Sequence, residues 1–209
     1  KQAEFELGNR GITLLDTPGH VDFSAEMERT LQVLDYAILV INGADGVQGH
    51  TMTLWRLLAR YQIPTFLFIN KMDQDGTDKE KLLAELKKRL SDNCVDFTWE
   101  NTSGMENSTD ETAEKAKDEI SALQSQFLED ISVCDEELLE KYLETEKIST
   151  SDIRKVIKER KLFPCFFGSA LKMTGVEEFL HGLEKYCETP TYPSEFGAKV
   201  FKIARDDQG

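Results

Sequence analysis

The chain has 209 residues, of which 40% are hydrophobic and 31% charged, a balance that is ordinary for a globular protein with one sizeable core. Its formal net charge of −14 disfavours nonspecific attraction to nucleic acid or to an anionic membrane. No apolar run approaches the length of a membrane span, no signal peptide is recognisable, and the four cysteines lack CxxC spacing, so we expect free thiols in the reducing cytoplasm.

The first part of the chain predicts strands that alternate with helices. Short apolar or alternating runs bounded by turn residues indicate the strands, and apolar residues at helical spacing indicate the helices. The apolar run at 36–41 is continuous, which predicts a strand that is buried on both faces. The predicted elements are hairpin strands 4–7 and 11–15, helix 23–34, strand 36–41, helix 52–61 and strand 65–69.

The second part keeps this alternation but interrupts it with a helical segment. Thr77 and Glu80 have the spacing of a capping box that would start a helix, and Thr174 and Glu177 repeat the pattern later in the chain. Between them, helices around 120–131, 136–143 and 151–160 break the rhythm, and we interpret about 92–160 as a helical insertion. The remaining elements are a short strand 95–97, a buried strand 162–167, a helix 174–187 and a strand 198–203.

This order predicts an α/β fold with a mostly parallel sheet and helices on both faces. We place one domain at 1–190 and read 191–209 as a linker and the first strand of a second domain. The chain lacks an initiator Met and its first residues already have the pattern of a strand, so we expect it to be a piece of a longer protein.

The stretch Asn70-Lys71-Met72-Asp73 carries the most specific chemical pattern. Guanine presents N1–H and a 2-amino group on one edge, and a carboxylate accepts both hydrogen bonds, whereas adenine would leave a buried Asp unpaired. Asp73 therefore suits guanine, while Asn70 could brace the loop and the stem of Lys71 could cover the base. The alternative is an ordinary polar loop after a strand.

Two further turns follow apolar runs. The first has residues suited to binding a phosphate, and the second has residues suited to binding a base. Asp16, at a strand end, could hold Mg²⁺, and Gly19 would let its amide approach a γ-phosphate. His20 would then orient or polarise an attacking water. Ser169 and Ala170 follow the strand 162–167, where the Ala170 amide would meet the guanine carbonyl oxygen. Each turn alone is weak, because a lone His is more often structural and small residues are common after strands.

Together these motifs resemble the GTPase domain of translation factors of the elongation factor G class. The similarity rests on residues 16–23, Asp45-Gly46-Val47, Asn70-Lys71-Met72-Asp73 and Gly168-Ser169-Ala170, and covers nearly the whole chain. Residues 68–76 and 162–164 look most similar to the tetracycline-resistance ribosomal protection proteins.

The resemblance implies roles for these residues, a guanine nucleotide with Mg²⁺ as cofactors, and the ribosome as partner. Asp16 would be the magnesium-side acid, Gly19 the γ-phosphate sensor and His20 the catalytic histidine. The guanine site would consist of Asn70, Lys71, Asp73, Ser169 and Ala170. Residues 201–203 would begin a β-barrel second domain.

The family's phosphate-binding loop, GxxxxGKS or GxxxxGKT, does not occur in the sequence. In the family sheet, the strand that feeds this loop lies between the strands 11–15 and 36–41, so its absence would leave a central gap. We expect the flanking strands to close together or a second copy to pair there, unless upstream residues fill the gap. The chain alone should not hydrolyse GTP and should bind guanine nucleotides weakly at best.

Two other functions stay open. The chain could be a binding or scaffold module that keeps the fold without enzymatic activity. It could also derive from a different ribosomal GTPase, such as a release-factor recycling protein, because residues 16–23 are shared among these factors.

Overall fold

A computed structural model describes residues 2–17, 24–98, 112–191, 193–198 and 200. Strands and helices alternate through most of these residues, apart from an opening hairpin and a run of three successive helices. The elements are β1 (Gln2–Leu7), β2 (Arg10–Leu15), α1 (Ser24–Leu31), β3 (Ala37–Asn42), α2 (Gly49–Arg60), β4 (Thr65–Asn70), α3 (Lys79–Arg89), β5 (Cys94–Asp96), α4 (Thr112–Ser132), α5 (Glu136–Thr145), α6 (Thr150–Lys158), β6 (Phe163–Phe167) and α7 (Val176–Tyr186).

Four of the strands form a parallel sheet in the order β3-β4-β6-β5. The register aligns Asn42 of β3 with Asn70 of β4, so both strands end at the same edge. Parallel strands need crossover connections, and helices supply them here. The predicted α/β class with a mostly parallel sheet is confirmed. β5 lies inside the span predicted for the helical insertion, yet it pairs with β6 as part of this sheet.

The core has two layers because successive residues of the central strand β4 face opposite sides. Phe66 and Phe68 join a cluster with side chains of α4, α5, α6 and α7. Leu67 and Ile69, both fully buried, join a second cluster with Trp55 of α2 and with α3. Helices therefore cover both faces of the sheet. The residues of β4 are all apolar in its centre because side chains on both faces of this strand are buried.

The helix starts differ from the two predicted capping boxes. Asp78, not Thr77, is the N-cap of α3, and its carboxylate accepts a hydrogen bond from the Lys81 amide. α7 begins after Gly175, which makes no side-chain cap. Both predictions are wrong, and at α3 the reason is that the Thr77 hydroxyl is engaged by carbonyls of the preceding loop. A reciprocal capping box instead begins α6, between Ser149 and Asp152.

The β1–β2 hairpin forms as predicted but stands apart from the sheet. Among the described strands, β2 pairs with β1 alone and β3 pairs with β4 alone. The Arg10 guanidinium donates to the carbonyls of Glu184 and Cys187, at 2.7 and 2.5 Å, and so ties the hairpin to the end of α7. Of the two alternatives expected for the gap, closure of the flanking strands does not occur among the described residues, and pairing with a second copy stays a prediction.

A cavity of about 750 Å³ lies between the hairpin and β3, and we call it the slot. Most of its wall is apolar, including Leu14, Leu31, Leu34, Ile38, Leu54 and Leu58. On β3, Ile38, which lines the slot, is 37% exposed and Val40 is 59% exposed, so the predicted burial of this strand on both faces is wrong.

Several sequence predictions lie outside the described residues. These are the turn that contains Gly19 and His20 and most of the strand at 198–203. In the ranges that are described, no helix is both long and apolar enough to cross a bilayer. The four cysteines are free thiols, as expected.

Candidate functional site

Two loops meet at the carboxyl edge of the sheet, one after β4 and the other after β6. Their backbones are joined directly, because the Gly168 amide donates to the Ile69 carbonyl at 2.9 Å and the Met72 amide donates to the Gly168 carbonyl at 3.0 Å. Ligands of open α/β sheets bind outside the carboxyl ends of the strands. The sequence-predicted residues of both loops therefore lie at a position suited to binding.

Asn70 connects the two loops through its side chain. Its amide oxygen accepts hydrogen bonds from the Lys71 amide at 2.8 Å and from the Ala170 amide at 2.9 Å. Lys71 adopts a left-handed φ of 65°, which is uncommon for a residue with a side chain and recurs at binding sites. Asn70 thus braces the loop, as expected. Its side chain also accepts from the Ala170 amide, which is the group that was expected to meet guanine.

Asp73 faces the loop after β6. The Ser169 hydroxyl donates to its carboxylate and, together with Lys172, holds the pKa of Asp73 below its usual value. The Lys172 ammonium lies 3.4 Å from Asp73 Oδ2. Sequence reasoning missed Lys172, because its contact with Asp73 depends on how the loop after β6 reverses and spacing alone does not specify that reversal.

The loop after β6 is held in a tight reversal. Ser169 and Thr174 exchange two backbone hydrogen bonds of 2.9 and 3.1 Å. A Cβ at Gly168 would lie 2.3 Å from the Thr174 carbonyl oxygen, so this approach requires glycine. Gly175 has a φ of 75°, and a Cβ there would lie 2.5 Å from the Phe167 carbonyl oxygen. These contacts fix the positions of Ser169 and Lys172 relative to Asp73.

The loop after β4 is also closed by its own residues. The Thr77 hydroxyl lies 2.9 Å from the carbonyl oxygens of both Met72 and Gln74. The Gly43 amide donates to the Asn70 carbonyl at 2.7 Å and ties the loop to the end of β3. Asp73 is therefore presented from a loop with most of its backbone geometry already fixed.

The phosphate half of the predicted site is described only at Asp16. This carboxylate follows β2 directly and is exposed, while Gly19 and His20 lie outside the described residues. Over the described part of the chain, no group of three or more His, Cys, Asp or Glu side chains could by itself hold a metal. A single carboxylate suits Mg²⁺, which usually keeps waters and phosphate oxygens as its other ligands, so Asp16 fits that ion in its chemistry.

The fold corresponds to that of known proteins. A crystal structure of a Thermus thermophilus protein superposes with a TM-score of 0.72 at 23% identity, covering 90% of this chain and 32% of that one, which establishes the shared α/β fold. The family described as "Elongation factor Tu GTP binding domain" matches residues 1–189. The chain belongs to this family.

Two curated relatives with similar sequences are both elongation factor G proteins. Elongation factor G of Mycoplasma pneumoniae is 31% identical over 231 residues, covering 95% of this chain. Elongation factor G of Ureaplasma parvum serovar 3 is 32% identical over 241 residues, covering 93%. The chain spans only 34% and 35%, respectively, of the length of these relatives.

Proposed function

We propose that this chain is part of a translational GTPase, a protein that binds GTP and hydrolyses it on the ribosome. The observation that carries the proposal is the hydrogen bond from the Ala170 amide to Asn70 Oδ1, together with the Ser169–Asp73 contact. These contacts join the two predicted base-reading loops. Membership of the elongation factor Tu GTP binding domain family and similarity to elongation factor G support the same conclusion.

In this proposal, the two loops read guanine. Asp73 accepts hydrogen bonds from N1–H and the 2-amino group, and Ser169 orients its carboxylate. Asn70 positions the loops, the stem of Lys71 covers the base, and the Ala170 amide turns from Asn70 to the guanine carbonyl oxygen. A base without these donors would leave the Asp73 carboxylate without partners at a cost that disfavours binding.

The turn after β2 serves the phosphate end. Asp16 holds Mg²⁺, which when bound supplies positive charge beside the phosphate oxygens. Gly19 brings its amide close to the γ-phosphate, and His20 orients the attacking water. Because the sequence contains no GxxxxGKS or GxxxxGKT loop, we propose that the chain by itself gives no measurable GTP turnover and only weak guanine nucleotide binding.

Titration of the chain with GDP and ADP at millimolar concentrations tests the base site. NMR signals of residues in the two loops should respond to GDP and not to ADP. Asp73→Asn should abolish the response, whereas Asp75→Asn, which removes an exposed carboxylate two residues away, should preserve it. Equal responses to GDP in both variants would refute the role of Asp73. A micromolar dissociation constant for GDP would refute the proposal that the chain alone binds guanine nucleotides weakly.

The whole protein is proposed to act in the cytoplasm on the ribosome. Similarity at residues 68–76 and 162–164 favours the tetracycline-resistance ribosomal protection type within the class. Expression of the complete gene in a susceptible host should then raise tetracycline resistance, and ribosome-stimulated GTP turnover should fall by about 100-fold in His20→Ala. Unchanged turnover in that variant would refute the catalytic role of His20. Ribosome-stimulated turnover without any gain in resistance would favour an elongation factor.

We also propose that isolated chains associate through the slot. The outer edge of β3 carries no strand partner among the described residues, and such edges pair readily with another chain. With a net charge of −14, association should strengthen as salt screens repulsion between the copies.

Light scattering tests this association. The wild-type chain should be dimeric, and Ile38→Lys, at a 37% exposed residue that lines the slot, should make it monomeric. Leu143→Lys, which changes a 73% exposed residue on α5, is the matched control and should leave the dimer intact. A wild-type monomer at all salt concentrations would contradict the proposal.

A further inference from the structure

Lys172 occupies the position from which a cation can contact the base-reading carboxylate. Its ammonium lies 3.4 Å from Asp73 Oδ2, while 60% of the Lys172 side chain is exposed. The separation is longer than the roughly 2.7–2.9 Å of a strong charge-assisted hydrogen bond, so the contact is a loose ion pair. A long exposed lysine can leave such a contact at small cost.

The tight reversal after β6 holds the backbone of Lys172 near Asp73. The Lys172 amide donates to the Ser169 carbonyl at 3.2 Å, and Ser169 exchanges hydrogen bonds with Thr174. Gly168 permits this reversal, because any side chain there would strike the Thr174 carbonyl. The lysine is thus tied to the same short loop that supplies the Ser169 hydroxyl to Asp73.

The Asp73 carboxylate has a limited number of places for donors. A carboxylate offers about four lone-pair sites on two oxygens, and the Ser169 hydroxyl and the Asp73 backbone amide already use two. Guanine needs both oxygens along one edge for its two donors. With guanine in the two remaining sites, the Lys172 ammonium on Oδ2 would be a fifth donor and would compete for an acceptor that the base requires.

We infer that Lys172 is a positioning and selectivity residue that neutralises Asp73 in the empty site and competes with guanine for its carboxylate. The inference rests on the proposed function, since it assumes that Asp73 reads guanine. Lys172 swings toward solvent when the base arrives. Removing its ammonium leaves Asp73 available and tightens guanine binding, even though it also removes a positive charge from a site for anionic nucleotides.

The first test follows the ion pair without any nucleotide. Carbon NMR of the side-chain carboxylates gives the pKa of Asp73 in the wild-type chain and in Lys172→Met. The variant should show a higher Asp73 pKa, because it has lost the cation that favours the charged form. The same pKa in both proteins would overturn the inference.

The second test measures GDP and ADP affinity by NMR titration at millimolar concentrations. Lys172→Met should bind GDP roughly two- to fivefold more tightly than wild type, the range expected for loss of an exposed ion pair, with no gain for ADP. The gain should shrink as salt screens the pair in the wild type. Lys88→Met, at an exposed position on α3, controls for the loss of one positive charge and should show no gain.

The outcomes separate this inference from the proposed function. GDP binding of equal strength in wild type and Lys172→Met, or a gain that appears equally with ADP, would overturn the role of Lys172 while the guanine site stands. Failure of every variant to bind GDP, with the Asp73 pKa still responding to Lys172→Met, would overturn the proposed guanine site and the competition, but not the ion pair.

Discussion

Replacing Gly168 by alanine tests how the loop after β6 is built. An ideal Cβ at this position would lie 2.3 Å from the Thr174 carbonyl oxygen, 3.1 Å from Gly175 Cα and 3.2 Å from Phe68 Cζ. The two nearest atoms belong to the backbone, so the loop itself must move by about 1 Å to reach a normal carbon–oxygen contact. Gly168 does not have a left-handed φ, and the cost therefore arises from space and not from backbone strain.

The expected destabilisation follows from the contacts that must change. Overpacking of this kind costs about 1–3 kcal/mol, and displacing the Thr174 carbonyl also weakens its hydrogen bond with the Ser169 amide, for about another 1 kcal/mol. Alanine lowers the entropy of the unfolded chain and returns about 0.4–1 kcal/mol. We therefore expect Gly168→Ala to lower the free energy of unfolding by about 1–3.5 kcal/mol.

Urea denaturation followed by circular dichroism measures this change. The midpoints of two variants can be compared when their m-values are the same. Gly49→Ala is the matched control, because a Cβ at the start of α2 meets no atom within 4 Å. That variant should be unchanged or more stable, by up to about 1 kcal/mol. A loss smaller than about 0.5 kcal/mol in Gly168→Ala, below the smallest overpacking cost, would refute the close approach of the two loop segments.

Three other predictions concern the core. Arg160→Lys should lower the free energy of unfolding by about 2 kcal/mol in urea denaturation, because lysine cannot replace the planar guanidinium that donates to the buried Thr65 hydroxyl; an unaffected midpoint would contradict this. Gly182→Ala should cost about 1–3 kcal/mol in the same assay, since its Cβ would lie 2.3 Å from Phe166 Cζ, and full stability would show that the ring has room to move. Burial raises the pKa of the Cys134 thiol to about 12, so its stabilising effect is complete below about pH 8.5 and is lost as the pH rises toward about 12. Thermal midpoints should therefore fall less steeply with alkaline pH in Cys134→Ala than in wild type, and parallel curves would exclude the thiol as a cause.

The central strand and the position of the loops after β4 and β6 could be predicted from the sequence because local patterns encode them. The apolar run of β4 ends at Asn70, and the run of β6 ends just before Ser169, so both motifs had to reach the same edge of a parallel sheet. The contact between Lys172 and Asp73 could not be predicted, since it depends on the reversal of a loop that spacing alone does not specify.

How far β3 is buried depends on which element lies beside it, and the spacing of apolar residues does not identify that neighbour. The run around Ile38 and Val40 has the composition of a strand covered on both faces, but the tether from Arg10 to α7 keeps the hairpin away from it. The start of α3 was misplaced for a similar reason. Thr77 and Asp78 both suit an N-cap, and the tertiary contacts of the Thr77 hydroxyl decided between them.

The bond between Asn70 and Ala170 joins residues that are 100 positions apart, which has a consequence for how the protein is made. Closing a segment of this length costs about 2 kcal/mol more in chain entropy than closing one of about ten residues, and contacts of such long range slow folding. During synthesis, β4 leaves the ribosome long before β6, its neighbour in the sheet. The loops after β4 and β6 can therefore meet only after residues through about Gly175 have emerged, so the proposed nucleotide site forms late in folding, once the sheet is complete.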